Sequence, residues 1–517
     1  MLSRLWYRSW KILTFAALIA LIVATYFYFF VGLRFEVDGS GIRPLISLYD
    51  SETHIATLEQ NRVDQLIFLD PDKTATNWHP RLKENVGEAT TKPPGPPDVT
   101  KPTLTQVSPA RTSIKTDETV ADNDLLDPHQ NHPYWTDFRG PNRDGLYAGD
   151  TILTSWPIDG LRLRWRQPIG GGYASFVVAD GTAFTIEQRR QLEVVTSYDL
   201  TTGREIWTHM WNAYFTEGMG GDGPRATPTW DEGRLYALGA TGEFRCLNAD
   251  TGELIWKRNI LTDNQATNLT WAMSASPLVV DDKVIVLPGG KEGKSVVAYH
   301  KLTGETIWTS LNDSQGYTAP MLVTLAGRNQ ILVVSAQRVV GLAVEDGSLL
   351  WDYPWQVRTV PNIAQPIILD KNRVFVSAGY GHGSAVFEIT RSTNGYQTQT
   401  LWQNKRMKNK FSSSVLHDGH IYGLDESILA CVDAETGEQK WKGGRYGHGQ
   451  LLLASEHLIV LSESGDVVLI KATPERHEEL AKFSAINGKT WNVPAIADGC
   501  LLVRNTTQMA CYNIAVH

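Results

Sequence analysis

The sequence predicts an all-β chain folded as an eight-bladed β-propeller behind an N-terminal transmembrane helix, and three observations carry that prediction. A turn-and-tryptophan motif recurs in YDLTTGREIW, CLNADTGELIW, YHKLTGETIW, LAVEDGSLLW and VDAETGEQKW, with Trp207, Trp256, Trp308, Trp351 and Trp441 each four residues after a turn glycine. Aromatics at matching places extend the series to Trp165, Trp207, Trp256, Trp308, Trp351, Trp402, Trp441 and Phe483. Their spacing is roughly 40 to 50 residues, the period of a four-stranded blade. Finally, residues 12–33 contain no charged side chain.

Within one repeat, Cys246 to Trp256 reads as a strand ending at Asn248, a turn through Asp250, Thr251 and Gly252, and a strand that carries Trp256 inward. Glycine supplies the positive φ the turn needs, and the Asn, Asp and Thr before it can bond the turn backbone.

At the N-terminus, residues 12–33 are long enough to cross about 30 Å of hydrocarbon as a helix. Arg4, Arg8 and Lys11 precede them, which puts residues 1–11 in the cytoplasm and the remainder outside. A signal peptide would have a shorter apolar region and a small-residue cleavage site, whereas here the run continues through Tyr26 to Phe30. Residues 34–82 form a membrane-proximal segment with strand-like pieces, RFEVDG and QLIFLD, and no assignable role. Residues 83–131, containing KPPGPPDVTKP, are too polar and Pro-rich to bury a core and read as a linker holding the next domain away from the membrane.

The propeller spans 132–517. WTDFRGPNRDG is a turn-rich lead-in, and LRLRWRQPI alternates like a strand. After Phe483 the chain supplies three strands and ends, so the strand around Trp165 can complete the last blade and close the ring without an open edge. Seven blades is the alternative if the Phe483 unit, which lacks the TG turn, is an insertion. Aligned on their turns, Cys246, Cys431 and Cys511 share a position with Ser197, Ala298 and Gly341, so these thiols read as fillers of a tight packing slot. Cys500 and Cys511 could face each other across the final hairpin.

A formal charge of −8 with no basic run in the repeats argues against a nucleic-acid binder. No phosphate-loop, His-Glu-x-x-His or Gly-x-Ser-x-Gly motif is present.

The pattern [DN]-x-x-TG-x-x-x-W resembles the PQQ-like β-propeller repeat found in pyrroloquinoline-quinone dehydrogenases and in the BamB lipoprotein of outer-membrane assembly. The stretch SWPIDGLRLRWRQPIGGGYASFVVADG is similar to bacterial membrane-bound PQQ-binding-like repeat proteins. The resemblance covers about residues 132–517 and implies a quinoprotein-like fold. It implies a bacterial inner-membrane protein with its propeller in the periplasm. The motif itself fastens strands in enzymes and non-enzymes alike, so it does not settle activity.

Function is then sought in the loops that lead into each innermost strand, which ring the channel mouth. They offer Tyr173, Arg225, Trp271, Tyr317, Asn362, Gln365, Lys410, Arg445, Tyr446, His448, Gln450, Lys489, Trp491 and Asn492. In one reading, Arg225, Lys410 and Arg445 converge on an anion while Tyr173, Trp271, Tyr317 and Trp491 supply flat apolar surface. In the other, these side chains cap strand ends and stack on neighbouring blades.

A PQQ-dependent dehydrogenase oxidising alcohols or sugars would want a vicinal Cys pair, calcium on carboxylate and amide oxygens, and a carboxylate base. No two Cys are adjacent, and the single ring-loop carboxylate, Asp222, sits in a GDGP turn. The expectation is therefore a scaffold without a cofactor that binds a protein or a small anionic ligand. PQQ with calcium is the alternative.

Overall fold

The computed structural model describes residues 14, 17–19, 21, 23, 33–37, 44–48, 51–69, 134–358 and 361–516. Most of the expected membrane span and all of the 83–131 linker lie outside them. Among the described residues, no helix is long and apolar enough to cross a membrane.

Eight sheets form the ring, seven of them four-stranded and that of blade 7 carrying a short fifth strand. Blades 1 to 7 occupy residues 177–212, 229–259, 278–310, 321–354, 367–404, 415–445 and 450–484. Blade 8 joins 495–513 to the strand Leu163–Pro168. Cys511 pairs with Trp165, so the ring closes as the sequence predicts. The Phe483 unit is a full blade, which rules out seven.

The fastener works between blades. The indole N–H of Trp207 donates to the Ala249 carbonyl in blade 2 at 2.9 Å, and Trp165, Trp256, Trp402 and Trp441 bond the next blade in the same way. Each ring except that of Trp441 also packs on the next blade's turn glycine. The slot opposite the Trp takes Ser197, Cys246, Ala298, Gly341, Cys431 or Cys511, as the alignment predicts, and a register shift follows each. Trp351 departs from the pattern: its N–H donates to Gln330 of its own blade at 2.6 Å, because blade 5 presents a hairpin of two ten-residue strands in place of a TG turn.

Phe483 is not the positional equivalent of the Trp. Ala481 stands opposite Leu469, while Phe483 pairs with Val467 and packs on Trp156 and Tyr512 at the junction of blades 7 and 8. All four cysteines are free and buried, so Cys500 and Cys511 are not bridged. They sit on a diagonal of the hairpin, with Cys500 opposite Asn513 and Cys511 opposite Leu502. Diagonal Cα atoms lie about 7–8 Å apart, beyond the usual disulfide span.

Residues 34–82, expected as a membrane-proximal segment, include a helix. Two short strands, β1 (Leu33–Val37) and β2 (Pro44–Leu48), pair antiparallel, and the helix α1 (Ser51–Leu69) follows. The strand expected at QLIFLD is therefore the end of α1. His54, Leu58 and Arg62 recur every four residues and turn one face to the propeller, a helical period that outweighs the short apolar run.

Candidate functional site

Aromatic rings and cations interleave at the mouth. Tyr173 and Trp491, from the loops into blades 1 and 8, have ring centroids 5.4 Å apart. Phe411, beside Lys410 in the loop into blade 6, lies 4.9 Å from Trp491 and 5.3 Å from His448. The rings tilt by 31° and 50° against Trp491, so they form a shallow cup. Cations rest on the ring faces: Arg225 over Phe215 and Tyr173, Lys410 over Tyr380 and Phe411, and Lys489 over Trp491. Such stacking holds a charge in place while leaving it able to meet an anion. Phe215 and Phe411 were not singled out from sequence; Phe411 follows Lys410 directly, whereas Phe215 stands well before Arg225 in the chain.

Carboxylates fix the rim. Glu463 accepts from the Trp491 indole at 2.8 Å and from the His448 amide at 3.1 Å. Glu217 accepts from Arg225 at 3.3 Å and from the Met219 amide at 2.8 Å. Burial lowers the Arg225 pKa, with Tyr173 and Glu217 opposing it. Lys489 reaches the Met219 carbonyl at 3.3 Å and so joins the loops of blades 8 and 2. On another arc of the mouth, Trp271 and Tyr317 stand 6.1 Å apart, and burial pushes the Tyr317 hydroxyl up to about 12.

Other predicted residues serve the ring itself. Asn362 donates to Ser335 and Trp355 carbonyls, Gln450 to Phe411 and Trp491 carbonyls, and Asn492 to Gly172 and Ala174 carbonyls. The Gln365 side-chain oxygen accepts from the Ala319 backbone amide at 2.8 Å, and the Gln365 backbone N–H donates to the Ser413 hydroxyl. With Ser175, Thr227 and Ser276, they form a hydrogen-bonded belt between neighbouring blades. Arg445 ends the outer strand of blade 6, is exposed, and bonds Ser427, apart from the stacked cations. Tyr446 turns away to His477 and Glu479. Asp222 stays in its turn between Gly221 and Gly223, both at positive φ.

The lead-in plugs the channel beneath the cup. Trp135 bridges to Val178 of blade 1, and the Trp230 amide of blade 2 donates to Thr136. Arg143, 1% exposed, bonds the carbonyls of Ser276, Pro277 and Pro320, Thr229 Oγ1 and the Asp137 carboxylate. Arg139 bonds the carbonyls of Ser414 and Leu451, and burial lowers its pKa to about 10. Leu146–Tyr147 then adds to the inner strand of blade 7. The sequence signal was two arginines in FRGPNRDG, a turn otherwise poor in reasons for charge.

The donors do not fit PQQ with calcium. Asn362 and Asn492 leave their buried amide oxygens unbonded, but the mouth carboxylates Glu217 and Glu463 are occupied by amide, indole and guanidinium donors, and the four cysteines are buried in strands and not adjacent. Among the described residues, no group of three or more His, Cys, Asp or Glu side chains is placed to hold a metal ion.

Residues 191–443 match a family model described as outer membrane protein assembly factor BamB. The chain is similar to the outer membrane protein assembly factor BamB of Yersinia pestis, 22% identical over 334 residues, covering 58% of this chain and 78% of that protein. It is also similar to quinohemoprotein alcohol dehydrogenase ADH-IIG of Pseudomonas putida, 23% identical over 295 residues, which span 54% of this chain and only 34% of the dehydrogenase. A solved quinohemoprotein alcohol dehydrogenase from Pseudomonas putida shares the fold, with a TM-score of 0.54 at 13% identity, covering 75% of this chain and 81% of that one. Together with the blade repeat, these likenesses support a PQQ-like β-propeller fold for the chain.

Proposed function

We propose that this protein is a membrane-anchored, periplasm-facing scaffold of cell-envelope assembly, which captures a protein segment or a small anionic molecule at its mouth. The observation that carries the reading is the unbroken contact series Arg225, Tyr173, Trp491, Phe411 and Lys410, which interleaves cations with partly exposed rings above a plugged channel. A blind cup of this kind suits an apolar group flanked by negative charge. The likeness to a relative named as an assembly factor supports the same direction.

The test is photo-crosslinking from the mouth. A crosslinking residue at position 410, in the full chain in its own membrane, should trap an envelope protein, and a matching residue at exposed position 158 on the outer side should not. Equal trapping at both positions would remove the mouth from the proposal.

The dehydrogenase relatives favour a second reading, oxidation of an alcohol or sugar with PQQ and calcium. Dye-linked turnover by the purified chain with added quinone and calcium would establish it and overturn the scaffold.

A further inference from the structure

The seam where the ring closes is covered by α1. His54 Nε2 lies 2.8 Å from the Ile169 carbonyl and Arg62 donates to the Pro168 carbonyl at 2.9 Å, so both grip the end of the strand that completes blade 8. On the blade 1 side, Arg62 meets Glu205 at 3.1 Å, and Glu205 also pairs with Arg189. Arg190, in the turn between the second and third strands of blade 1, pairs with Glu52 and Glu59. Leu58 is 0% exposed and Arg62 3% exposed. Removing a guanidinium from water is costly unless it is fully paired, and here Arg62 has a carboxylate, a carbonyl and Tyr198 as partners.

The start of α1 is tied closely to the end of the apolar run. Leu33 is the register partner of Leu48, which puts their Cα atoms about 5 Å apart. From Leu48 to Ser51 the chain can span at most about 10 Å. The Pro-rich stretch, by contrast, lies between α1 and Tyr134, whose hydroxyl donates to Asp180 of blade 1. Its two ends are therefore both attached to the propeller.

We propose that α1 is a clasp that carries the propeller on its membrane anchor, holding the seam of blades 8 and 1 beside the bilayer, so that support runs through α1 and does not depend on residues 83–131. This rests on the anchor assigned above. It replaces the spacer role that composition alone suggests for the linker.

The experiment uses the full chain in membrane vesicles with the propeller face accessible and a protease site inserted after residue 100. Before cutting, the propeller sediments with the membranes. After cutting it should still sediment, because α1 grips it without a covalent link. Leu58→Asp with Arg190→Glu should release roughly tenfold more propeller into the supernatant on cutting. Tryptophan fluorescence checks that the released disc is folded. Should that double variant misfold, Arg190→Glu alone should raise release, and adding Glu52→Arg and Glu59→Arg should restore retention. Release of the unmodified propeller on cutting overturns the clasp and leaves the anchor intact. An uncut chain in the supernatant overturns the anchor, and the clasp with it.

Discussion

Trp207 of blade 1 and Gly252 of blade 2 touch so closely that a β-carbon on Gly252 would stand 2.5 Å from ring atom Cε3. The glycine is fixed twice, by its φ of +72° and by the indole above it. Gly252→Ala should cost about 2–4 kcal/mol, combining left-handed strain with overpacking. Gly233→Ala separates the two effects, because Gly233 has a similar φ of +75° and nothing within 4 Å of the added carbon. It should cost only about 1–2 kcal/mol. Urea unfolding followed by tryptophan fluorescence measures both, and equal losses would refute the interblade contact.

The plug makes a separate stability prediction. Arg143 pairs with Asp137 at 2.7 Å while bonding carbonyls that lead into blades 3 and 4. Burial pushes the Asp137 carboxyl pKa up, and Arg143 opposes the rise. Arg143→Met should destabilise the propeller by about 3–5 kcal/mol, since it leaves a buried carboxylate without its partner. Adding Asp137→Asn should recover part of that loss. A double-mutant cycle in denaturant gives the coupling, and strict additivity would show that the pair is not a unit.

Glu193 accepts from the Trp211 indole of its own blade at 2.9 Å and from the Ala240 amide of blade 2 at 2.7 Å. Burial raises its pKa to about 7, from 4.5 when unperturbed. The folded state therefore holds a proton that the unfolded chain has released between these values. Stability should fall as pH rises through this window by ~1.4 kcal/mol per unit, and level off above it. Glu193→Gln stays neutral and should remove that slope. Unfolding midpoints of both proteins between pH 4.5 and 8 decide it; parallel curves would refute it.

Legibility followed periodicity. Trp165 could be matched to Cys511 because five other blades repeat the same turn and slot, and a motif present many times constrains its missing copy. Asn492 and Gln365 were read from sequence as candidate mouth residues, but their work in the interblade belt depends on backbone and hydroxyl partners whose direction no sequence displays. Arg139 and Arg143 act once each, on carbonyls up to 312 residues away, so no repeat could expose them. The role of α1 was missed because QLIFLD alone looks like a strand. The spacing of His54, Leu58 and Arg62 was the better signal.

The thiols yield a chemical prediction. Burial pushes Cys246 and Cys431 up to about 12, and Cys500 receives a hydrogen bond from Arg164 at 2.8 Å while completely buried. Contacts with Cys511 and Arg164 lower the Cys500 pKa, but all four thiols are completely buried, so none should react with a maleimide in the folded protein. All four should react after unfolding, without any reductant. Mass spectrometry counts the adducts; only two in denaturant would reveal a disulfide.

Trp491 and Asn492 are chain neighbours with opposite duties. Asn492 is 0% exposed and bonds the carbonyls of Gly172 and Ala174, which tie blade 8 to blade 1. Asn492→Ala should cost about 1–3 kcal/mol, because two buried carbonyls lose their donor. Trp491 is partly exposed between Tyr173, Phe411 and Lys489. Its replacement by Ala should change the unfolding midpoint far less, yet lower the mouth crosslink yield several-fold. The two variants thus separate ring construction from capture. If Trp491→Ala weakened the fold as much as Asn492→Ala and left crosslinking intact, the aromatic cup would be mere packing, and capture would have to lie elsewhere on the propeller.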